Sequence, residues 1–253
     1  MAHFAATQRN ANAVIKVMIV DDSAVVRGLT KRWLDAEPDI EIVAACADAL
    51  KAIADLSKVK PDVIILDVEM PHMDGLTAIP QLKRLAPHAR IVMASTLTHE
   101  GASTTLRAMS AGAADYIAKP EATGLGGASA YQKDLVGKVR ALGGAAQVSA
   151  NPARRTPLSR LPQRPVRKSG FFRSKAMVIA SSTGGPQALQ ALLPPIAKDV
   201  RAPIFIVQHM PATFTKILAE KLASLTGKPC YEPRNGEAVK DGCIYLAPGD
   251  FHM

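Results

Sequence analysis

Short apolar runs alternate along the chain with longer stretches whose apolar residues recur every three to four positions. The first run, Ile15 to Val20, ends at Asp21-Asp22-Ser23 and reads as a buried parallel strand. Val25 to Glu37 follows with helical spacing at Val25, Val26, Leu29, Trp33 and Leu34. The alternation repeats: strands are expected at Ile40–Cys46, Pro61–Asp67, Arg90–Ser95 and Ala114–Ala118. Helices are expected at Ala47–Val59, Gly75–Leu85 and Gly101–Ala111, the last stopped by Gly112. Strands alternating with helices predict an α/β doubly wound parallel sheet, with function at the strands' carboxyl ends.

The pattern then breaks. Tyr131 to Leu142 carries one apolar stripe, Leu135, Val139 and Leu142, on a helix that can dock on a domain. Ser149 to Lys175 holds four prolines and few large apolar residues, and reads as a linker. Strand and helix alternation resumes at Met177-Val-Ile-Ala-Ser-Ser-Thr-Gly-Gly-Pro186, an apolar run, a tight turn and a helix start. A helix at Gln187–Ala197, a strand at Pro203–Gln208 ending in His209, and a helix at Phe214–Leu225 follow. Cys230–Pro233 and Ile244–Ala247 are short strands, and Pro248 to His252 is a loop.

The length, 253 residues, suffices for two domains of modest size, each with its own core. The net charge of +9 has one source. Ser149 to Lys175 contains eight basic residues and no acid, while the stretches on either side are nearly neutral. Such a segment suits a spacer better than the charged face of a nucleic-acid-binding domain, so no nucleic-acid partner is expected. There is no apolar run of 18 residues and no apolar core of a signal peptide, so no membrane insertion is expected. Cys46, Cys230 and Cys243 form no ligand cluster and read as reduced thiols of a cytoplasmic protein.

Two sets of residues carry chemistry. Asp21, Asp22, Asp67, Ser95 and Lys119 all sit at strand ends, and the topology gathers them in one pocket. Three carboxylates there repel one another unless a cation binds, and Mg²⁺ suits oxygen ligands. A lysine and a hydroxyl beside them can hold a phosphoryl group on one carboxylate. In the second half, Ser182 and His209 follow strands that read as parallel and adjacent. A histidine within reach is the usual base for a serine nucleophile, and helix N–H groups beside it can stabilise an oxyanion.

Asp21-Asp22, L-D67-V-E-M-P-x-M-D-G-L and D-Y-I-A-K119-P together resemble a response-regulator receiver domain over residues 14–120. The resemblance implies that Asp67 is the phospho-acceptor. It implies Mg²⁺ held by Asp21, Asp22, Asp67 and the Glu69 carbonyl, with Ser95 and Lys119 on the phosphoryl group and Tyr116 as the switch aromatic. Thr96 is a rival to Ser95. The order receiver, linker, A-S-S182-T183-G-G-P, I-V-Q-H209-M-P and Y-L-A-P-G-D-x-H252 resembles the chemotaxis protein-glutamate methylesterase family. This implies Ser182 as nucleophile, His209 as general base, and Thr183 and His252 in active-site loops, with Ser181 the rival nucleophile.

The expected division is a disordered leader (1–13), a receiver domain (14–130), a helix and basic Pro-rich linker (131–170), and an incomplete parallel α/β esterase domain (171–253). The family's triad aspartate lies downstream of P-G-D-x-H, so a C-terminal truncation is expected. Losing that aspartate costs about 10⁴-fold in serine proteases. The expected function is phosphorylation-regulated methylesterase and glutamine deamidase activity on chemotaxis receptors. A chemotaxis histidine kinase would be the phosphoryl donor and methyl-accepting receptors the substrate. The alternative is a phospho-switch binding module whose esterase domain is inactive.

Overall fold

The computed structural model describes residues 14–96, 98–119, 125–150, 174–251 and 253. Five parallel strands, β1 (Ile15–Val20), β2 (Ile40–Cys46), β3 (Val63–Asp67), β4 (Arg90–Ser95) and β5 (Asp115–Ala118), form a first sheet ordered β2-β1-β3-β4-β5. Helices α1 (Ala24–Asp35), α2 (Ala49–Asp55), α3 (Gly75–Leu85) and α4 (His99–Ser110) connect them. Each begins at a residue whose side chain accepts a backbone N–H of the first turn: Ser23, Asp48, Asp74 and Thr98. The continuous apolar runs of β1 and β3 are buried on both faces, as parallel strands between helix layers must be.

One helix differs from expectation. The stripe read at Tyr131–Leu142 belongs to α5 (Leu125–Ala150), which packs across β1, β3, β4 and β5 as the closing helix of the first sheet. The helix runs on through Gly143 and Gly144. Gly143 marks a close approach, since a Cβ there would lie 2.4 Å from the Ile15 side chain. Arg140 fastens the same helix to the loop before β2, bonding Asp39 at 2.7 Å and Glu37 at 2.6 Å. Helix α2 ends at Asp55, four residues short of its expected end, with the chain turning at Ser57 and Lys58.

Four further parallel strands, β6 (Met177–Ser181), β7 (Ile204–Gln208), β8 (Cys230–Tyr231) and β9 (Ile244–Leu246), form a second sheet ordered β6-β7-β9-β8. Helices α6 (Gly185–Ala197) and α7 (Ala212–Thr226) cover one face. Residues Ile204, Ile206 and Ile244 point to those helices and are buried. Val178 and Val207 alternate to the other face, which no described element covers, and are 71% and 44% exposed.

The two sheets were expected to have separate cores. The first sheet has one of its own, from Val17 and Ile65 to Leu135 and Val139, and a second that it shares with the other sheet. The shared cluster runs from Met18 and Ile64 through Leu106 and Met109 of α4 to Leu189, Phe214 and Leu218. Tyr116 of β5 stacks on Phe214 of α7 with ring centroids 4.4 Å apart, and Ser110 bonds Gln190 at 2.8 Å.

Candidate active and phosphoryl-acceptor sites

At the carboxyl end of the first sheet, Asp21, Asp22 and Asp67 place carboxylate oxygens within 4.8 Å of one another. Asp21 and Asp67 are buried and Asp22 is exposed, so the cluster opens to solvent on one side. Lys119, at the end of β5, reaches in and pairs with Asp67 at 2.7 Å and Asp21 at 3.0 Å. Three carboxylates and one ammonium leave net negative charge in the pocket. Burial pushes the Asp67 carboxyl above the ordinary aspartate range despite Lys119. Burial pulls Lys119 down, but Asp67 and Asp21 outweigh it and keep the ammonium charged above the ordinary lysine value. An all-oxygen donor set with an open side fits a hard divalent ion such as Mg²⁺.

Ser95 is buried at the end of β4, while Thr96 is exposed and shares its hydroxyl with Thr98. The turn after Asp67 is held by Gly75, whose N–H bonds the Val68 carbonyl at 2.9 Å. A Cβ on Gly75 would lie 2.1 Å from the Asp67 carbonyl oxygen. The Glu69 side chain is exposed, and its backbone N–H bonds Asp67.

At the carboxyl end of the second sheet, β6 and β7 pair in register, Ser181 opposite Gln208. The next residues, Ser182 and His209, leave the sheet side by side, and the His209 N–H bonds the Ser181 carbonyl at 3.1 Å. Both side chains are exposed, as is Thr183. Among the described residues, no hydrogen bond joins the Ser182 hydroxyl to the His209 ring. Ser181 faces the helix side instead, and its hydroxyl donates to Gln208 Oε1 at 2.6 Å. His252 lies outside the described residues.

Gln208 is a residue that sequence reasoning passed over. Its buried amide also donates to the carbonyls of Ser182 at 3.0 Å and His209 at 3.1 Å. The one available signal was its place in the alternation Ile204, Ile206, Gln208, a polar side chain on the buried face. Gly185 fits beneath it, because a Cβ would meet Gln208 Oε1 at 2.0 Å.

Ser182, Thr183 and His209 line a cleft of about 1260 Å³ whose other wall belongs to the first domain, with Asp115, Lys119 and Lys138. The serine turn and the acidic pocket thus stand on two sheets that meet along Tyr116 and α4.

Residues 17–125 match the model of the response regulator receiver domain, and residues 177–253 match that of the CheB methylesterase. The chain is 48% identical to a protein-glutamate methylesterase/protein-glutamine glutaminase of Caulobacter vibrioides, over 94% of this chain and 68% of the relative. The chain belongs to the protein-glutamate methylesterase/protein-glutamine glutaminase family. A family member from Azospirillum brasilense is 46% identical over 94% of this chain and 65% of its own length. The chain therefore spans about two thirds of the length of the curated methylesterases it matches. The response regulator domain of Thermotoga maritima CheB superposes with a TM-score of 0.47 at 37% identity, covering 52% of this chain and 97% of that one. No described helix is long and apolar enough to cross a membrane.

Proposed function

We propose that the protein is a phosphorylation-regulated protein-glutamate methylesterase and protein-glutamine deamidase of the cytoplasm, acting on methyl-accepting chemotaxis receptors. The observation that carries this reading is the placement of Ser182 beside His209 in a cleft walled by the receiver. The Ser182 hydroxyl attacks the γ-carbonyl of a methyl glutamate while His209 takes its proton and returns it to the departing methanol. Water, deprotonated by His209, then splits the acyl-serine and releases the glutamate carboxylate. A glutamine side chain follows the same path with ammonia as leaving group. The geometry favours Ser182 over Ser181, whose hydroxyl is committed to Gln208.

Asp67 is the phospho-acceptor for a chemotaxis histidine kinase. Asp21, Asp22 and Asp67, with the Glu69 carbonyl, are the residues that would hold Mg²⁺. When bound, the ion neutralises charge on the phosphoryl oxygens. Lys119 is poised to exchange Asp67 for a phosphoryl oxygen, and Ser95 is the hydroxyl beside it. Tyr116, raised far above an ordinary phenol by burial, stays neutral and stacked on Phe214. Its reorientation on phosphorylation would remove that contact and bias the receiver away from the cleft.

The test is methanol release from methylated receptor membranes by the phosphorylated full-length protein. Release is expected, and Ser182→Ala abolishes it. Wild-type release by Ser182→Ala would sink the nucleophile assignment, and no release by the phosphorylated protein would favour a binding module.

A further inference from the structure

Each of the four connecting helices of the receiver supplies its own N-terminal cap. Helix α6, which carries the serine turn into the second domain, does not: its N-cap is Gly184, in a left-handed conformation with φ 72°, and no side chain of the turn bonds its first N–H groups. The cap comes from the other domain. Asp115, the first residue of β5, accepts the Gly184 N–H on Oδ2 at 3.1 Å.

Asp115 is 1% exposed, and a carboxylate so buried must find partners for both oxygens. Oδ1 is satisfied inside the receiver. It accepts the Tyr116 N–H at 2.8 Å and stands 3.6 Å from the Lys138 ammonium of α5. Lys138 also donates to the Tyr116 carbonyl at 2.5 Å and lies over the Tyr116 ring at 4.7 Å. Oδ2 has Gly184 as its partner. Of the carboxylate's bonds, this is the one that crosses to the second domain. It also sets a negative charge on the positive end of α6, two residues from Ser182.

We infer that Asp115 is a positioning residue of the esterase turn: it caps α6 across the domain boundary and holds Ser182-Thr183-Gly184 in its resting form. This deepens, and rests on, the methylesterase reading. Moving the receiver then does two things at once. It opens the cleft, and it uncaps the helix whose first turn follows the nucleophile. Lys138 and the Tyr116 backbone hold the capping carboxylate, so displacement of the switch aromatic's own residue reaches the serine turn through one side chain. By reciprocity, a substrate that reorganises the turn weakens receiver docking.

The full chain tests this in two readouts. Amide exchange at Gly184, followed by NMR in the unphosphorylated protein, is expected to speed up roughly fivefold in Asp115→Ala, the loss of an ordinary cap. Asp115→Asn, which keeps a carbonyl acceptor without the charge, is expected to fall between. Methanol release by the unphosphorylated Asp115→Ala protein is expected to rise toward the phosphorylated wild-type level, with phosphorylation of Asp67 unchanged as proof of an intact receiver. Unaltered Gly184 exchange in both variants would overturn the inference. So would faster exchange with unphosphorylated turnover no higher than wild type, provided phosphorylated wild type is active. If phosphorylated wild type releases no methanol, the functional reading fails, and Gly184 exchange still decides the cap.

Discussion

The acidic pocket of the receiver and the serine turn of the second domain are built on the same plan and secured in opposite ways. Each lies where parallel strands end, and each has a glycine pressed against backbone or amide so that the chain can turn. The acidic pocket is internally completed. Asp21 and Asp67 are buried, and Lys119 binds both. The serine turn exposes Ser182, Thr183 and His209, and its restraints come from elsewhere: Gln208 from β7 beneath, Asp115 from the receiver beside it. On the proposed function, a site that accepts a small phosphoryl group gains from fixed charges, and one that admits a protein side chain, and is switched, gains from restraints that can be withdrawn.

The largest effect is expected from removing the charge that completes the acidic pocket. Lys119→Met leaves Asp21 and Asp67 buried without a counter-charge, and thermal unfolding should show a loss of about 3 kcal/mol at neutral pH. The pH profile has a definite sign. Lys119 is raised in the folded protein, so its contribution is complete below the ordinary lysine value and disappears as pH rises through its raised value. At the acid end the gap between variant and wild type should close as carboxyls protonate, beginning above the ordinary aspartate range because Asp67 is raised. A gap independent of pH would mean that packing of the lysine stem, not charge, secures the pocket.

The serine turn should respond in rate rather than stability. Gln208→Leu keeps the bulk but strands the Ser181 hydroxyl and the carbonyls of Ser182 and His209. A shift of the turn by an ångström is worth roughly a hundredfold in turnover. The phosphorylated variant should show that loss in kcat, with KM and Asp67 phosphorylation little changed. Undiminished kcat would show that Gln208 does not position the turn in the active form.

The acidic pocket was legible because every member is a charged or hydroxyl residue at the end of an apolar run, and the topology decides where such ends meet. Ser182 and His209 were legible for the same reason. Gln208 and Asp115 were not. An amide in a strand acquires its meaning from which carbonyls face it, and Asp115 opens β5 with nothing in Ala113-Ala114 to say that a second domain lies within reach. Helix α5 extends beyond the Tyr131–Leu142 stripe at both ends, through glycines that no apolar periodicity marks. The close approach to Ile15 requires Gly143, and tertiary packing overrides its intrinsic cost.

A smaller effect is expected where the two regions touch. The Tyr116 and Phe214 rings stack at 4.4 Å and 14°. A cycle of Tyr116→Leu, Phe214→Leu and the double variant, followed by chemical unfolding, should give a coupling of about 1 kcal/mol. The coupling should vanish in the phosphorylated protein if the receiver swings away. Persistence would mean that activation leaves this contact in place and acts through Asp115 alone.

The smallest expected effect is none, and it isolates the difference to the sites. Cys46 at the end of β2 and Cys230 at the start of β8 are buried, one in each sheet. Burial, with Asp55 adding to it, pushes the Cys46 thiol up to about 11, and burial alone pushes Cys230 up to about 12. At pH 8 alkylation with iodoacetamide should be slower than for an exposed thiol by roughly a hundredfold at Cys46 and roughly a thousandfold at Cys230. Phosphorylation should leave both rates unchanged, because neither thiol lies at the contact between Tyr116 and Phe214 or at the α6 cap. If Cys230 alone became reactive, the second sheet itself would loosen on activation. Control would then act through the stability of that whole domain, and Asp115 and Gln208 would be two of many restraints rather than the ones that distinguish the serine turn from the acidic pocket.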